Sequence, residues 1–177
     1  MPIQVCFEMV SGMPEPHASR PYMPGYGVLG ASEGSGLLPW AWAEERLTAS
    51  RNYWAVTLWP DGRPHAMPVW GVWDSGAFWF SSSGRSRKAR NVAADPRCTI
   101  TTEDAGNPVV MEGTATVITD MGDIERFLSL SNAKYETGYG LDFLDPAVNA
   151  TIRVRPSWVF GLASDDFTGS PTRWRFD

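Results

Sequence analysis

Two cysteines and two histidines are all that a chain of 177 residues offers for soft metal ligation or thiol chemistry. Cys6 and Cys98 lie far apart and at no metal-binding spacing, so neither a disulfide framework nor a zinc site is expected, and both thiols are read as free. No run approaches the roughly 20 apolar residues of a membrane span, and the first residues show no basic stretch followed by an apolar one. No membrane association, no secretory signal and a cytoplasmic location are therefore expected. Charge is also scarce: with 20% charged residues and a formal net charge of -5, the chain is not built to neutralise a nucleic-acid backbone. A Gly-x-Ser-x-Gly elbow is missing, so a hydrolase triad has no starting point, and no repeat of about 20 to 50 residues appears.

What is present is apolar and aromatic material, 43% hydrophobic residues and nine tryptophans, enough for one well-packed core at a length that suits one domain. Residues 1–39 are expected to form an irregular arm, because Pro14, Pro16, Pro21 and Pro24 and the glycines from Gly12 to Gly36 interrupt any period. The GASEGSG segment at 30–36 fits neither the dinucleotide fingerprint nor the P-loop. Residues 40–177 are expected to form the folded domain. A short helix is predicted over PWAWAEERLTA (39–49) to cap a barrel end, followed by strands at 53–59, 64–73 and 77–83, punctuated by Pro60-Asp61-Gly62 and Asp74-Ser75-Gly76. These read as an antiparallel meander, with an irregularity or open edge at Pro68, which cannot donate to a ladder. A helix at 86–94, strands at 98–102 and 109–119, a helix at 121–135 entered through Thr119 or Asp120, and a last strand at 151–163 complete the pattern. Mainly consecutive strands with helices inserted late favour an antiparallel β-barrel over a doubly wound sheet.

One segment concentrates chemistry. SSSGRSRKARN (81–91) carries Arg85, Arg87, Lys88 and Arg90 without an acid, preceded by Ser81, Ser82 and Ser83, at the junction of a strand and a helix. Hydroxyls, a tight turn at Gly84 and helix-end amides together suit a phosphate. The same composition also fits a solvated basic helix or a loose nucleic-acid patch. In the strand at 64–73, Met67, Pro68 and Val69 are able to line a flat apolar slot for a planar ring, or to fill a barrel core. His65 is read first as a hydrogen-bonded structural group and second as an acid or base. Trp174, between Arg173 and Arg175, is placed either over an aromatic ligand or in the core.

WPDGRPHAMPVWGVW, FSSSGRSRKARNVAADPRC, PVVMEGTATVITD and the terminal TRWRF resemble, in order and spacing, the pyridoxamine 5'-phosphate oxidase-like family of split β-barrel flavoproteins. The resemblance runs over residues 40–176 and is closest to the B-type flavin/deazaflavin-dependent oxidoreductases of actinobacteria. It implies a split β-barrel of the FMN-binding type, a homodimer with cofactor sites between subunits, and an oxidoreductase that uses coenzyme F420, or alternatively FMN, on a conjugated small molecule. A non-catalytic cofactor-binding protein on the same scaffold is the remaining alternative. By resemblance, Ser81, Ser82, Ser83, Arg87, Lys88 and Asn91 would hold the cofactor's phosphate side. The ring would rest against the backbone of Met67, Pro68, Val69 and Trp70, His65 would be a further cofactor-binding residue, and Arg173 and Trp174 would arrive beside the site from the tail, from the second subunit. No residue is assigned as a general acid. Family members that oxidise pyridoxine phosphates carry Arg-x-His near the C-terminus, where this chain has Arg-Trp-Arg, a departure that speaks against that chemistry.

Overall fold

Alternating burial and turn chemistry give the described part of the chain, residues 15–177 of a computed structural model, nine strands and three α-helices. Cys6 and the first part of the arm lie outside the described residues. In chain order the elements are β1 (His17–Ser19), α1 (Trp40–Ala49), β2 (Tyr53–Leu58), β3 (Pro64–Val69), β4 (Val72–Asp74), β5 (Ala77–Ser83), α2 (Arg87–Ala94), β6 (Arg97–Thr102), β7 (Val109–Ile118), α3 (Met121–Tyr135), β8 (Asn149–Gly161) and β9 (Thr172–Arg175).

The sheet is antiparallel throughout, and its organising strand is β8. One edge of β8 pairs with β7 along nearly all its length; the other pairs first with β5, through Asn149–Val154, and then with β9, through Trp158–Gly161. The two branches part where the register shifts opposite Glu112 and Gly113 and Ser157 is left over as a bulge. Gly113 is required there, since a Cβ would stand 2.1 Å from the Arg155 carbonyl oxygen. This branching makes the barrel a split one. The order β1-β9-β8-β7-β6-β2-β3 leaves β3 on an edge, which is where Pro68 costs no ladder bond.

Two expectations are corrected. The strand predicted at 64–73 is two strands, and the meander is not consecutive: β3 pairs with β2, whereas β4 pairs with β5. The chain crosses from one half-barrel to the other at Trp70–Gly71, and a Cβ on Gly71 would lie 2.1 Å from the Phe78 ring and 2.7 Å from the Trp79 carbonyl oxygen. A close approach of backbone to sheet forced the break. The arm is also not wholly irregular, because His17–Ser19 pairs with Arg175–Arg173.

Period-two alternation sends Tyr53, Ala55, Phe78, Phe80, Ile100, Met111, Ile152 and Val154 inward, and Ala43 and Leu47 of α1 and Ala89 and Val92 of α2 close the core. Helix α2 starts at Ser86, whose hydroxyl accepts from the Ala89 amide at 3.2 Å. Of the two candidate caps of α3, Asp120 is the one used, accepting from the Asp123 amide at 3.0 Å. Ile124 and Phe127 of α3 then pack on Val72, Trp79 and Ile118 outside the barrel.

Cys98 is in the core, and burial pushes its pKa up to about 12. In a Cys6→Ser variant, an aromatic disulfide reagent at pH 8 is expected to leave Cys98 unmodified until the protein is unfolded. Fast labelling of the native protein would contradict its placement.

Candidate functional site

Strands β3 and β5 leave Gly71 as two arms on different branches of the sheet, β3 paired with β2 and β5 with β8, with a gap between them. The β4 partner of β5 ends at Val72 opposite Trp79, so beyond Trp79 strand β5 is bonded only to β8, while β3 leans toward β2. Both arms therefore present a free backbone edge to the gap. At the end away from Gly71 the first turn of α2 meets both arms, through Ser86 beside Ser82 and Arg87 over the Trp59 ring that His65 also touches.

That end is the basic cradle. Ser82 faces inward with Phe78 and Phe80, and its hydroxyl donates to Ser86 Oγ at 2.9 Å. Ser86 Oγ accepts twice, from Ser82 and from the Ala89 amide, so its own proton is the one left to give to a ligand. The backbone amides of Arg87 and Lys88 have no intrahelical acceptor by the geometry of any helix start. The Arg87 guanidinium lies 4.1 Å from the Trp59 ring centroid, and His65 meets the same ring edge-on at 5.7 Å. Burial first, then the charges of Lys88 and Arg87, hold the His65 pKa below its ordinary value, and burial lowers that of Lys88. His65 is therefore neutral at pH 7. Among the described residues, none of Arg85, Arg87, Lys88 and Arg90 has a carboxylate within ion-pair distance.

Strand alternation divides the three serines. Ser82 belongs to the α2 side; Ser81 and Ser83 face the other way, Ser81 directly opposite Thr151, while Ser83 Oγ accepts from the Arg85 amide at 3.3 Å in the turn. Alternation also sorts the strand beside the gap: His65, Met67 and Val69 face inward, whereas Pro68 faces outward opposite Trp54 and leaves its backbone at the gap. Met67 and Trp70 are 41% and 49% exposed, so both are open to a ligand. Trp70 stacks on Tyr135 with ring centroids 4.4 Å apart and planes 4° from parallel.

Asn91 stands elsewhere than the resemblance implied, and Trp174 takes the core place that was one of its two readings. Asn91 is 1% exposed and faces the barrel interior, donating to Thr57 Oγ1 at 3.0 Å, so it fastens α2 to β2 instead of lining the cradle surface. Trp174 is 1% exposed and packs edge-on against Trp40 in the core, unavailable to lie over a ligand. In Thr172–Arg175 the period of two buries Thr172 and Trp174 and turns Arg173 and Arg175 outward. Arg173 pairs with Phe160, nine residues along β8 from the Thr151 opposite Ser81, or about 30 Å at roughly 3.3 Å per residue. Within one chain Arg173 and the cradle do not meet.

The structure adds residues that sequence reasoning passed over. Trp59 carries the Arg87 guanidinium; its signal was its place just before the Pro60-Asp61-Gly62 turn, at the strand end nearest His65. Trp158 carries Arg173, whose guanidinium is 3.9 Å from its ring centroid. No local pattern in the sequence marks Thr57, which holds Asn91, or Thr151.

A bound cofactor phosphate fits this end of the gap on a further observation. Side-chain atoms that are buried and without a hydrogen-bond partner among the described residues are His65 Nδ1, Arg87 Nε, Asn91 Oδ1, Thr151 Oγ1, Arg153 Nε and Trp174 Nε1. Two of them, His65 Nδ1 and Arg87 Nε, belong to the cradle, and buried polar atoms ordinarily find partners. A cleft of about 490 Å³ lies elsewhere, between α1 and the β8–β9 connection, lined by Trp42, Arg46, Asn107, Asp165 and Asp166 among others. Its residues assemble no comparable set of unpartnered buried atoms.

Comparison with known proteins agrees with the geometry. The family model described as pyridoxamine 5'-phosphate oxidase matches residues 41–162, more than half of the chain. No curated protein matches. Among solved structures, one titled F420 reductase is 24% identical with a TM-score of 0.55, covering 66% of this chain and 94% of its own. A conserved hypothetical protein of Mycobacterium tuberculosis is 21% identical with a TM-score of 0.63, covering 78% and 85%. A putative pyridoxamine 5'-phosphate oxidase from Listeria innocua is 17% identical with a TM-score of 0.54, covering 70% and 94%. At these identities the structures speak for the fold, and the match over residues 41–162 speaks for the lineage: this chain belongs to the pyridoxamine 5'-phosphate oxidase family.

Proposed function

We propose that the chain is an oxidoreductase that binds coenzyme F420 in the gap between β3 and β5 and serves reduction of a conjugated small molecule. The observation that carries the reading is the cradle: hydroxyl protons, first-turn amides and uncountered cations converge at the end of the gap away from Gly71. In this reading Ser82 and Ser86 orient the phosphate, Arg87 and Lys88 neutralise it, and neutral His65 offers its unpartnered nitrogen as an additional hydrogen-bond group. Ser81 and Ser83 complete the polar margin on the β8 side. Toward Gly71 the gap turns apolar, and Met67, Val69 and Trp70 form its wall for a planar ring, with the β3 backbone edge supplying amides and carbonyls. When bound, the deazaflavin supplies a hydride; the chain's part is to orient the ring and exclude water.

FMN is the second reading, because it shares the tricyclic ring, ribityl chain and phosphate that the cradle would recognise. The charge count favours F420: four cations without carboxylate partners exceed what one phosphate calls for, and F420 carries further carboxylates beyond its phosphate. We also infer a homodimer. Arg173, stacked on Trp158 and about 30 Å along the sheet from its own cradle, contributes to a cofactor site only across subunits. No helix among the described residues is long and apolar enough to cross a membrane.

Titrating cofactor-free protein with F420 and FMN in parallel, with tryptophan fluorescence as the signal, tests the choice. Trp59 and Trp70 are the expected reporters. Tighter binding of F420 supports the first reading, tighter FMN binding the second, and tight binding without turnover across enones and quinones would favour a non-catalytic carrier.

A further inference from the structure

The Gly71 end of the gap is held by side chains that the cradle does not use. The Gly71 amide donates to the Tyr135 hydroxyl at 2.7 Å, and that hydroxyl donates in turn to the Arg51 carbonyl at 2.8 Å. Lys134 Nζ donates to the Gly71 carbonyl at 3.0 Å and to the Tyr53 hydroxyl at 2.7 Å, while Tyr53 donates onward to the Leu47 carbonyl. Both backbone groups of the crossing residue are thus held from the C-terminal end of α3, and the same anchors tie α3 to β2, to the end of α1 and to the α1–β2 connection. The Tyr135 ring, meanwhile, is the surface against which half-exposed Trp70 lies flat.

We propose that Lys134 and Tyr135 are positioning residues for the ring of the bound cofactor: acting through Gly71 and Trp70, they fix the point where β3 parts from β5 and hold a flat aromatic wall there. The proposal rests on the reading that a flavin-type cofactor occupies the gap. Gly71 has no side chain of its own to hold it, and β3 is an edge strand paired on one side only, with β2. The α3 side chains add a hold on the crossing from outside the sheet. Neither residue touches the ring; Trp70 does.

Charge makes the arrangement sensitive to pH. The groups facing the Lys134 ammonium are Tyr53 from β2, Tyr135 beside it on α3, Arg51 before β2 and Glu103 after β6. Burial lowers the Lys134 pKa to about 8, with Arg51 acting in the same direction and Glu103 opposing it. Below that value the ammonium makes charge-assisted bonds to Gly71 and Tyr53; above it a neutral amine makes weaker ones. Burial raises the pKa of both tyrosines, so they remain protonated throughout this range.

The test compares wild type with Lys134→Arg, Lys134→Met and Tyr135→Phe, measuring binding of FMN and F420 by fluorescence between pH 7 and 9.5, and of inorganic phosphate by phosphorus NMR. For wild type, cofactor affinity is expected to fall about five-fold as pH rises through 8, the difference between charged and neutral hydrogen bonds. Lys134→Arg is expected to keep the low-pH affinity and lose the decline, because arginine stays charged. Lys134→Met and Tyr135→Phe are expected to bind both cofactors about ten-fold more weakly while inorganic phosphate binding is unchanged. Loss of phosphate binding in parallel would mean general damage to the fold and overturn the proposal, as would a decline in Lys134→Arg equal to that of wild type. Failure of wild type to bind either cofactor would overturn the functional reading itself, and the proposal with it.

Discussion

Lys88→Ala is expected to weaken cofactor binding about ten- to a hundred-fold while leaving the far-ultraviolet spectrum unchanged. The side chain sits in the first turn of α2, where alanine is a good helix former, so its removal should not cost the helix. What it takes away is a charged donor at a partly desolvated site. Hydrogen bonds to charged groups contribute about 1.5–3 kcal/mol, and each 1.4 kcal/mol is about a factor of ten in affinity. Lys88→Arg should recover part of the loss by restoring charge without the same reach. The measurement is the F420 and FMN titration of the three proteins at one ionic strength, because the effect is partly electrostatic and screened by salt. Unchanged affinity in Lys88→Ala would remove Lys88 from the site.

Gly71→Ala is expected to have the largest effect on the fold. A methyl group there would meet the Phe78 ring at 2.1 Å and the Trp79 carbonyl oxygen at 2.7 Å, and Phe78 is itself fully buried against Tyr53. Neither neighbour moves without disturbing the core, and overpacking of this kind costs about 1–3 kcal/mol or more. For a chain of this size each 1 kcal/mol lowers Tm by about 2–4 °C. Because the same residue stands at one end of the gap, cofactor binding should suffer beyond the loss of stability. Gly138→Ala is the control: no atom stands within 4 Å of a Cβ there, and its Tm should stay within about 1–2 °C of wild type. Equal melting temperatures for Gly71→Ala and wild type would contradict the close crossing at Trp70–Gly71.

The contrast between those two glycines shows where sequence reasoning reached and where it stopped. Strand and helix positions were legible because their physics is local. Burial alternates along β2, Ser86 and Asp120 cap the helices that follow them, and glycine marks the turns at Gly62 and Gly76, whose φ angles are 83° and 70°. The cradle was legible for the same reason, since its serines, cations and helix start are contiguous. Which strand lies beside which was not local. Nothing in PHAMPVWGVW states that its first half belongs to β2 and its second to β5, because the break is enforced by Phe78 and Trp79, contacts made only in the folded barrel.

The same distinction separates the site residues. Lys88 and Arg87 were found by composition and stand in the cradle. Asn91 was drawn in by resemblance and Trp174 by its place between two arginines, with the core as its other reading, and burial places both inside the barrel wall, where Trp174 packs on Trp40 and Asn91 holds Thr57. Counting by two from the buried Thr172 would have turned Trp174 inward and Arg173 outward, and the aromatic partner of Arg173 would then have been sought on the neighbouring strand, where Trp158 is. By the same count Pro68 faces Trp54 on the outer surface, and only its backbone borders the gap.

The central claim is that the first turn of α2 recognises a cofactor's phosphate while the β3–β5 gap takes its ring. The most direct measurement is a paired titration, FMN against riboflavin and F420 against its phosphate-free deazaflavin ring system, on the same cofactor-free protein. The phosphorylated member of each pair is expected to bind at least about a hundred-fold more tightly, with the difference shrinking as salt is raised. Equal affinities within each pair would contradict the account, because a site that holds the ring without sensing the phosphate is not the one built by Ser82, Ser86, Arg87 and Lys88.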